Sequence, residues 1–227
     1  MKKIALSMTA LAVVLAVTFT SCKKDDTSNP VVSVTGSGTT TIDLGTVWVD
    51  PGATATDDID GSITPTATGT VDVDKVGEYT ITYKAIDKAG NEGTATRTVK
   101  VKSDLLAKSY AVVEHYEDAT TSGYTQAVAV SSTGYNKLVF NGFGNYGTNA
   151  SVDVTVTSTG FTGAEKTLVL QDGGGVQYNC RLYNISGTYA KAGSLYNILT
   201  ATYKLDATPV AGGTTQTTTT TQNYTVQ

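Results

Sequence analysis

Histidine, cysteine and basic clusters are nearly missing from this chain, and each shortage closes off a class of function. His115 is the only histidine, so a zinc-type centre, which usually draws on more than one nitrogen or sulfur ligand, has little to form around. A Ser-His-Asp triad would also need a presented nucleophile, and none is visible. His115, in Glu114-His115-Tyr116-Glu117, reads instead as a solvated strand residue. The 16 Lys and Arg residues are outnumbered by 20 acids and form no cluster, which argues against nucleic acid as a partner. Proline and methionine are scarce, and no long pattern of Leu, Glu and Lys marks a helix. Glycine and threonine abound instead, and a hydrophobic content of 40% is enough for a packed core. This composition predicts an all-β protein, and no cofactor is expected.

The one apolar run that stands apart from this β composition lies at the N-terminus. Met1-Lys2-Lys3 is a short cationic start, and Ile4 to Phe19 is apolar except at Ser7, Thr9 and Thr18. A membrane span wants ~20 apolar residues, and this run is shorter, ending in Thr20-Ser21. It has the build of a secretory signal. Small residues ahead of Cys22 resemble the bacterial lipobox, with Phe19 where leucine is commoner. The resemblance implies cleavage before Cys22, a diacylglyceryl group on its thiol and an acyl chain such as palmitate on its new amine. Two or more chains anchor a protein stably, at ~0.8 kcal/mol per buried methylene. Residues 1–21 are then a signal peptide, and their loss removes Lys2 and Lys3 but no acid. The formal net charge passes from −4 to −6. Lys23-Lys24-Asp25-Asp26 resembles the signal that sends lipoproteins of Bacteroidota to the outer face of the outer membrane. Residues 22–29 read as lipidated cysteine and flexible tether. With Cys22 lipidated, Cys180 has no partner for a disulfide. Its strand-like surroundings, Tyr178 to Tyr183, suggest a buried, inert thiol.

Residues 30–102 carry the clearest patterning. Tyr79, Ile81, Tyr83 and Ala85 alternate on one strand face, and Ala95, Arg97, Val99 and Val101 on the next, the period of half-buried strands. Asp87-Lys88-Ala89-Gly90-Asn91 between them predicts a tight turn closed by a glycine at positive φ. Trp48, between Val47 and Val49, is expected in a strand, packed in the core or at a domain edge. Upstream are an Asp50-Pro51-Gly52 turn and an Asp57-Asp58-Ile59-Asp60-Gly61 turn. Together these motifs resemble the bacterial-surface Ig-like domain, which implies a seven-stranded sandwich without the cysteine pair of antibody domains. Spacer and adhesion unit are its usual roles. The acids Asp57, Asp58 and Asp60 fail an EF-hand alignment, since Thr56 and Ala67 would fall where carboxylates belong. Turn capping is the simpler reading, and no metal site is expected.

Residues 104–227 are rich in tyrosine and predict an antiparallel meander. A helical turn is expected at Leu105–Ala107, then strands over Ser109–Glu117, Tyr124–Ser131, Lys137–Asn141, Ser151–Thr157, Lys166–Gln171, Gln177–Ile185, Leu195–Asp206 and Thr214–Val226. The threonine run Thr217–Thr221 belongs to the last, a closing edge strand paired with Leu195–Asp206. Gly142-Phe143-Gly144-Asn145-Tyr146-Gly147 spells a dinucleotide fingerprint, but a strand and not a helix should follow it. The order of features (Asn136-Lys137-Leu138-Val139-Phe140-Asn141-Gly142-Phe143, then Ile185-Ser186-Gly187-Thr188-Tyr189, then Thr202-Tyr203-Lys204) resembles the lipocalin-like, calycin-type domains of Bacteroidota surface lipoproteins. That resemblance implies a closed or half-open barrel, with or without a ligand in its mouth.

For function, these readings predict a non-catalytic surface lipoprotein, its Ig-like spacer presenting a barrel that binds a polysaccharide or another surface protein. Tyr135 and Tyr146, in glycine-rich loops, are the candidate contacts. An envelope component without a small ligand is the alternative. A hydrolase using Glu114, Glu117 and Asp118 as paired carboxylates is a more distant one.

Overall fold

The computed structural model describes residues 25–146, 150–171 and 174–226. The cleavage site, Cys22, Lys23 and Lys24 therefore lie outside the described residues.

The first module holds seven strands: β1 (Val31–Val34), β2 (Thr39–Asp43), β3 (Ala53–Asp57), β4 (Gly61–Ile63), β5 (Thr66–Thr68), β6 (Gly77–Ile86) and β7 (Glu92–Lys102). They form one sheet in the order β1-β3-β4 and another in the order β2-β7-β6-β5, with β2 parallel to β7. The predicted alternation holds, for Ile81, Tyr83, Ala85, Arg97, Val99 and Val101 are all buried. Arg97 is only 1% exposed, and a buried guanidinium must find acceptors for its donors. Its Nη1 donates to the Ser37 carbonyl at 2.5 Å and its Nη2 to the Thr35 carbonyl at 2.7 Å. Its Nε donates to the Tyr83 hydroxyl at 3.0 Å, which in turn donates to Asp50. The predicted β6–β7 turn is present, with Gly90 at φ +96° and the Asn91 N–H bonded to Asp87 Oδ1 at 2.8 Å.

The expected strand at Trp48 does not form. Val47 and Val49 are 84% and 77% exposed, and Trp48 is half-buried in irregular chain. Gly45 turns the backbone at φ +78° after the buried Leu44, and Pro51 has no N–H to offer a ladder.

The second module holds β8 (Ser109–His115), β9 (Thr121–Val130), β10 (Lys137–Asn141), β11 (Val152–Thr157), β12 (Gly160–Gly163), β13 (Lys166–Gln171), β14 (Gln177–Ala192), β15 (Leu195–Pro209) and β16 (Gln216–Val226). Each strand from β8 to β12 pairs with its predecessor or successor in the chain, as do β13 to β16. Two pairings join the ends. β16 lies beside β8, and β12 lies beside the second half of β14. β12 and β13 thus act as one interrupted stave, and the sheet closes into an up-and-down antiparallel barrel. The contact at the seam is close: a Cβ on Gly187 would lie 2.2 Å from the Phe161 ring. Inside, Phe140 meets Phe143, Phe161 and Tyr224 at centroid distances of 5.6, 5.2 and 6.0 Å. The interior is packed with its own aromatic and aliphatic side chains.

Three details differ from the sequence-based expectation. Gly160–Gly163 is an extra strand, too short and glycine-bounded to show alternation. Thr217–Thr221 is not an edge, because β16 pairs with β15 on one side and β8 on the other. The strand at Ser109 stops at His115, where Asp118 turns the chain by accepting the Thr120 N–H at 2.9 Å.

The modules share one apolar core. Leu44, Val76 and Val101 of the first pack with Leu106, Tyr110 and Tyr196 of the second. Leu106 belongs to a 3-10 turn, Asp104–Leu106. The Tyr189 hydroxyl accepts the Val76 N–H at 2.9 Å and donates to the Thr157 carbonyl at 2.8 Å. Asp74 accepts from the Tyr196 hydroxyl and from Lys191 at 2.8 Å. Gly45 lies flat on the Tyr196 ring, where a Cβ would come within 2.7 Å of its hydroxyl.

Candidate functional site

Two clusters of polar side chains stand out on the barrel, one inside and one outside. The inner cluster forms around Glu114, which β8 directs into the barrel and which is fully buried. Its Oε2 accepts the Tyr116 hydroxyl at 2.7 Å; its Oε1 accepts Tyr203 at 3.0 Å and Gln222 Nε2 at 2.6 Å. Burial, together with the Glu114 charge, pushes the Tyr116, Tyr124 and Tyr203 hydroxyls far above the usual tyrosine range. Such a satisfied network rigidifies a core. It leaves Glu114 no access to a substrate.

That geometry separates the three acids of the hydrolase alternative. Glu114 faces the interior, while Glu117 and Asp118 are exposed in the turn beyond β8. Glu117 accepts the Thr219 N–H at 3.2 Å, and Asp118 caps its own turn. His115 is exposed, as its alternating position predicts.

The outer cluster lies on β14 and its neighbours. Arg181 and Tyr183 point outward, alternating with the buried Cys180 and Leu182. Arg181 Nε and Nη2 hold Glu165 at 2.7 and 2.8 Å in a two-pronged pair. The register sets Arg181 opposite Asp206 on β15, and Asp206 accepts the Tyr183 hydroxyl at 3.1 Å and the Thr217 hydroxyl at 2.7 Å. Arg181 stacks on the Tyr183 ring with its guanidinium carbon 4.5 Å from the centroid. Asn184 follows at φ +52°, a conformation asparagine tolerates. The register slips there, between Tyr183 and Ser186, a bulge that keeps Tyr183 outward and Ile185 inward. An open groove lies on each side of Arg181, each about 510 Å³. One runs along Leu168, Asn179 and Thr208, the other along Thr162, Tyr183 and Ser186.

The tyrosines singled out from the sequence lie elsewhere. Tyr135 is half-buried in the crevice between the modules. Its carbonyl accepts the Ser103 N–H at 3.0 Å, and the Lys100 ammonium sits 5.4 Å from its ring centroid. Tyr146 is half-buried and packs on the barrel core, and burial raises its pKa. Neither is the exposed loop ring that glycine-rich surroundings suggest. Phe143–Asn145 is a 3-10 turn, and the strand expected downstream of the fingerprint is β11, which begins at Val152. Cys180 is free and buried, and burial pushes its thiol pKa up. Asp25 is exposed and Asp26 half-buried.

Comparison with known proteins resolves the first module. Residues 32–101 match the family described as bacterial surface protein, Ig-like domain. The first module is a bacterial surface Ig-like domain. Such a module points to a cell-surface location and a role other than catalysis. No curated protein matches the chain. Among solved structures, a lipoprotein from Bacteroides thetaiotaomicron is similar at 18% identity and a TM-score of 0.33, over 86% of this chain and 99% of that one. A Clostridium perfringens ZmpB structure, described as CBM51-2 in complex with GlcNAc and INT domains, aligns at 15% identity and a TM-score of 0.27 over 87% of this chain and 44% of its own. At those scores neither likeness carries an argument.

Proposed function

We propose that this protein is a non-catalytic lipoprotein in which the Ig-like module holds the barrel away from the outer membrane to bind a glycan at the outer face of β14. One observation carries the reading: a half-exposed Tyr183 ring lines one open groove and stacks on Arg181, which lies between that groove and a second and is flanked by Glu165 and Asp206. A ring face offers apolar contact to a sugar's C–H surface, and the guanidinium and carboxylates donate to and accept from its hydroxyls. A polymer lying across Tyr183 and Arg181 would enter both grooves. The two modules share an apolar core beneath this barrel.

In the same reading, Cys22 carries the lipid and Lys23, Lys24, Asp25 and Asp26 direct the protein to the exterior face. The barrel belongs with the lipocalin-like domains, which are likewise built as up-and-down barrels. No cofactor is needed. Incorporation of labelled palmitate, abolished by Cys22→Ser, tests the anchor. Binding to a panel of plant, host and microbial polysaccharides tests the ligand class, and silence across that panel counts against it.

A second reading, a structural component of the envelope, is favoured by β13. Among the described residues it is hydrogen-bonded into the sheet only through β14, and such an edge can accept a strand from a protein partner. Crosslinking on intact cells distinguishes this reading from the first.

A further inference from the structure

The pole of the Ig-like module farthest from the barrel gathers three carboxylates from distant parts of the chain. Asp26 comes from the segment ahead of β1, Asp57 from the end of β3, and Asp87 from the β6–β7 turn. One carboxylate oxygen of each lies within 4.8 Å of the others. Asp57 and Asp87 are only 5% and 8% exposed.

Most of these oxygens already have work in the fold. Asp57 Oδ1 accepts the N–H groups of Ile59 and Asp60 at 2.9 and 2.8 Å, capping the turn as the sequence predicts. Asp87 accepts the Asn91 N–H and, at 2.7 Å, the Asn91 side-chain amide. That same amide reaches the Asp26 carbonyl at 3.2 Å, and Asp26 Oδ1 accepts the Ser28 N–H at 3.0 Å. Asp60, by contrast, is held by Lys88, which donates to it from its backbone N–H and its ammonium. Asp57 Oδ2 is buried and has no hydrogen-bond partner. A buried, unpaired carboxylate oxygen beside two further carboxylates is costly unless something positive sits among them.

We propose that Asp26, Asp57 and Asp87 bind a calcium ion. The ligands are hard oxygens, and calcium accepts them at ~2.3–2.6 Å in variable geometry. Oxygens on opposite sides of such an ion stand roughly 5 Å apart, and the three carboxylate oxygens all lie within that span of one another. Carbonyl groups and water would complete the shell. Asp26 gives the site its consequence. It lies four residues beyond Cys22 in the sequence, so the ion ties the end of the tether to two turns of the folded module. β7 runs from this pole toward the barrel, and its 11 residues span roughly 35 Å. Calcium would therefore order the membrane-proximal end without touching the glycan face.

Calcium titration of the full-length chain in detergent, after treatment with chelator, tests the site. One binding event with a dissociation constant on the order of 0.1–1 mM is expected, as in extracellular modules, with a rise in Tm and slower proteolysis near residue 26. Asp57→Asn keeps an oxygen for the turn and should weaken binding at least about tenfold through lost charge. Asp26→Asn lies outside the strands; it should weaken calcium binding while leaving the Tm in chelator unchanged. Magnesium, which dehydrates reluctantly and demands octahedral geometry, should produce a much smaller response. No calcium response from folded protein, an equal response to magnesium, or wild-type binding by both variants would overturn the assignment.

Discussion

Arg181 and Tyr183, two residues apart on β14, form a stacked pair, with the guanidinium carbon 4.5 Å from the ring centroid. The arginine's nitrogens simultaneously hold Glu165. Both side chains lie on the outer face of a strand whose inner face carries the core. An exposed cation–π contact contributes ~0.5–1 kcal/mol and an exposed ion pair ~0–1 kcal/mol. Arg181→Ala and Tyr183→Ala should therefore each lower stability by no more than about 2 kcal/mol. Urea unfolding checks this, and it establishes that a binding defect in either variant is not a folding defect.

Arg97 behaves in the opposite way. Its removal leaves the Thr35 and Ser37 carbonyls without their donor inside the sandwich, and Asp50 and Tyr83 without their cation. Breaking a buried charged cluster costs ~3–5 kcal/mol. Arg97→Ala should lower the stability of the Ig-like module by that amount in urea unfolding. A change under about 1 kcal/mol would mean the guanidinium is not the centre of that network.

Glu114 is the corresponding polar centre of the barrel. Alanine there leaves Tyr116, Tyr203 and Gln222 without their acceptor, and each buried group so orphaned costs ~1–3 kcal/mol. Glu114→Gln retains one acceptor oxygen and should cost less than Glu114→Ala. Far-UV circular dichroism during thermal unfolding gives the ranking, and equal Tm values would rule the network out as a stabilising element.

Alkaline pH should unfold the barrel through its tyrosines. Burial pushes Tyr110 from 10.0 up to about 12, and it raises Tyr203 and Tyr224 in the same direction. Between the unfolded and folded values the unfolded chain has lost the proton and the folded chain keeps it. Stability then falls as pH rises, by ~1.4 kcal/mol per pH unit for each tyrosine so held. It is fully present below pH 10. Tyrosinate absorbance should lag free tyrosine and then rise together with loss of circular dichroism. Titration at pH 10 with the fold intact would contradict this.

How much of this was legible in the sequence depended on how local the signal was. Strict alternation in Tyr79–Ala85, Ala95–Val101 and Val152–Val156 located strands and their buried faces, and Asp87–Asn91 located a turn. Two strands came out with the predicted bounds, Lys137–Asn141 and Lys166–Gln171. Gly160–Gly163 had no pattern to read, and the β-branched neighbours of Trp48 read as a strand, whereas the turn at Gly45 and the missing donor of Pro51 prevent one. The sites were less legible. Glu165, Arg181 and Asp206 are far apart in the chain and meet through strand register. The triad Asp26, Asp57 and Asp87 likewise escapes an EF-hand test, which examines only ligands within one short loop. Glycine around Tyr135 and Tyr146 suggested exposed loops, yet the first ring fills the joint between modules and the second packs on the barrel core.

The central claim, glycan binding at the outer face of β14, is tested most directly by affinity gel electrophoresis of wild type, Arg181→Ala and Tyr183→Ala side by side. The account predicts that one polysaccharide of the panel retards the wild type. Folded Tyr183→Ala should be retarded at least about tenfold more weakly, the ~1.4 kcal/mol expected of a contact tyrosine. Retardation of both variants equal to wild type would contradict the account, as would the absence of retardation by any polymer.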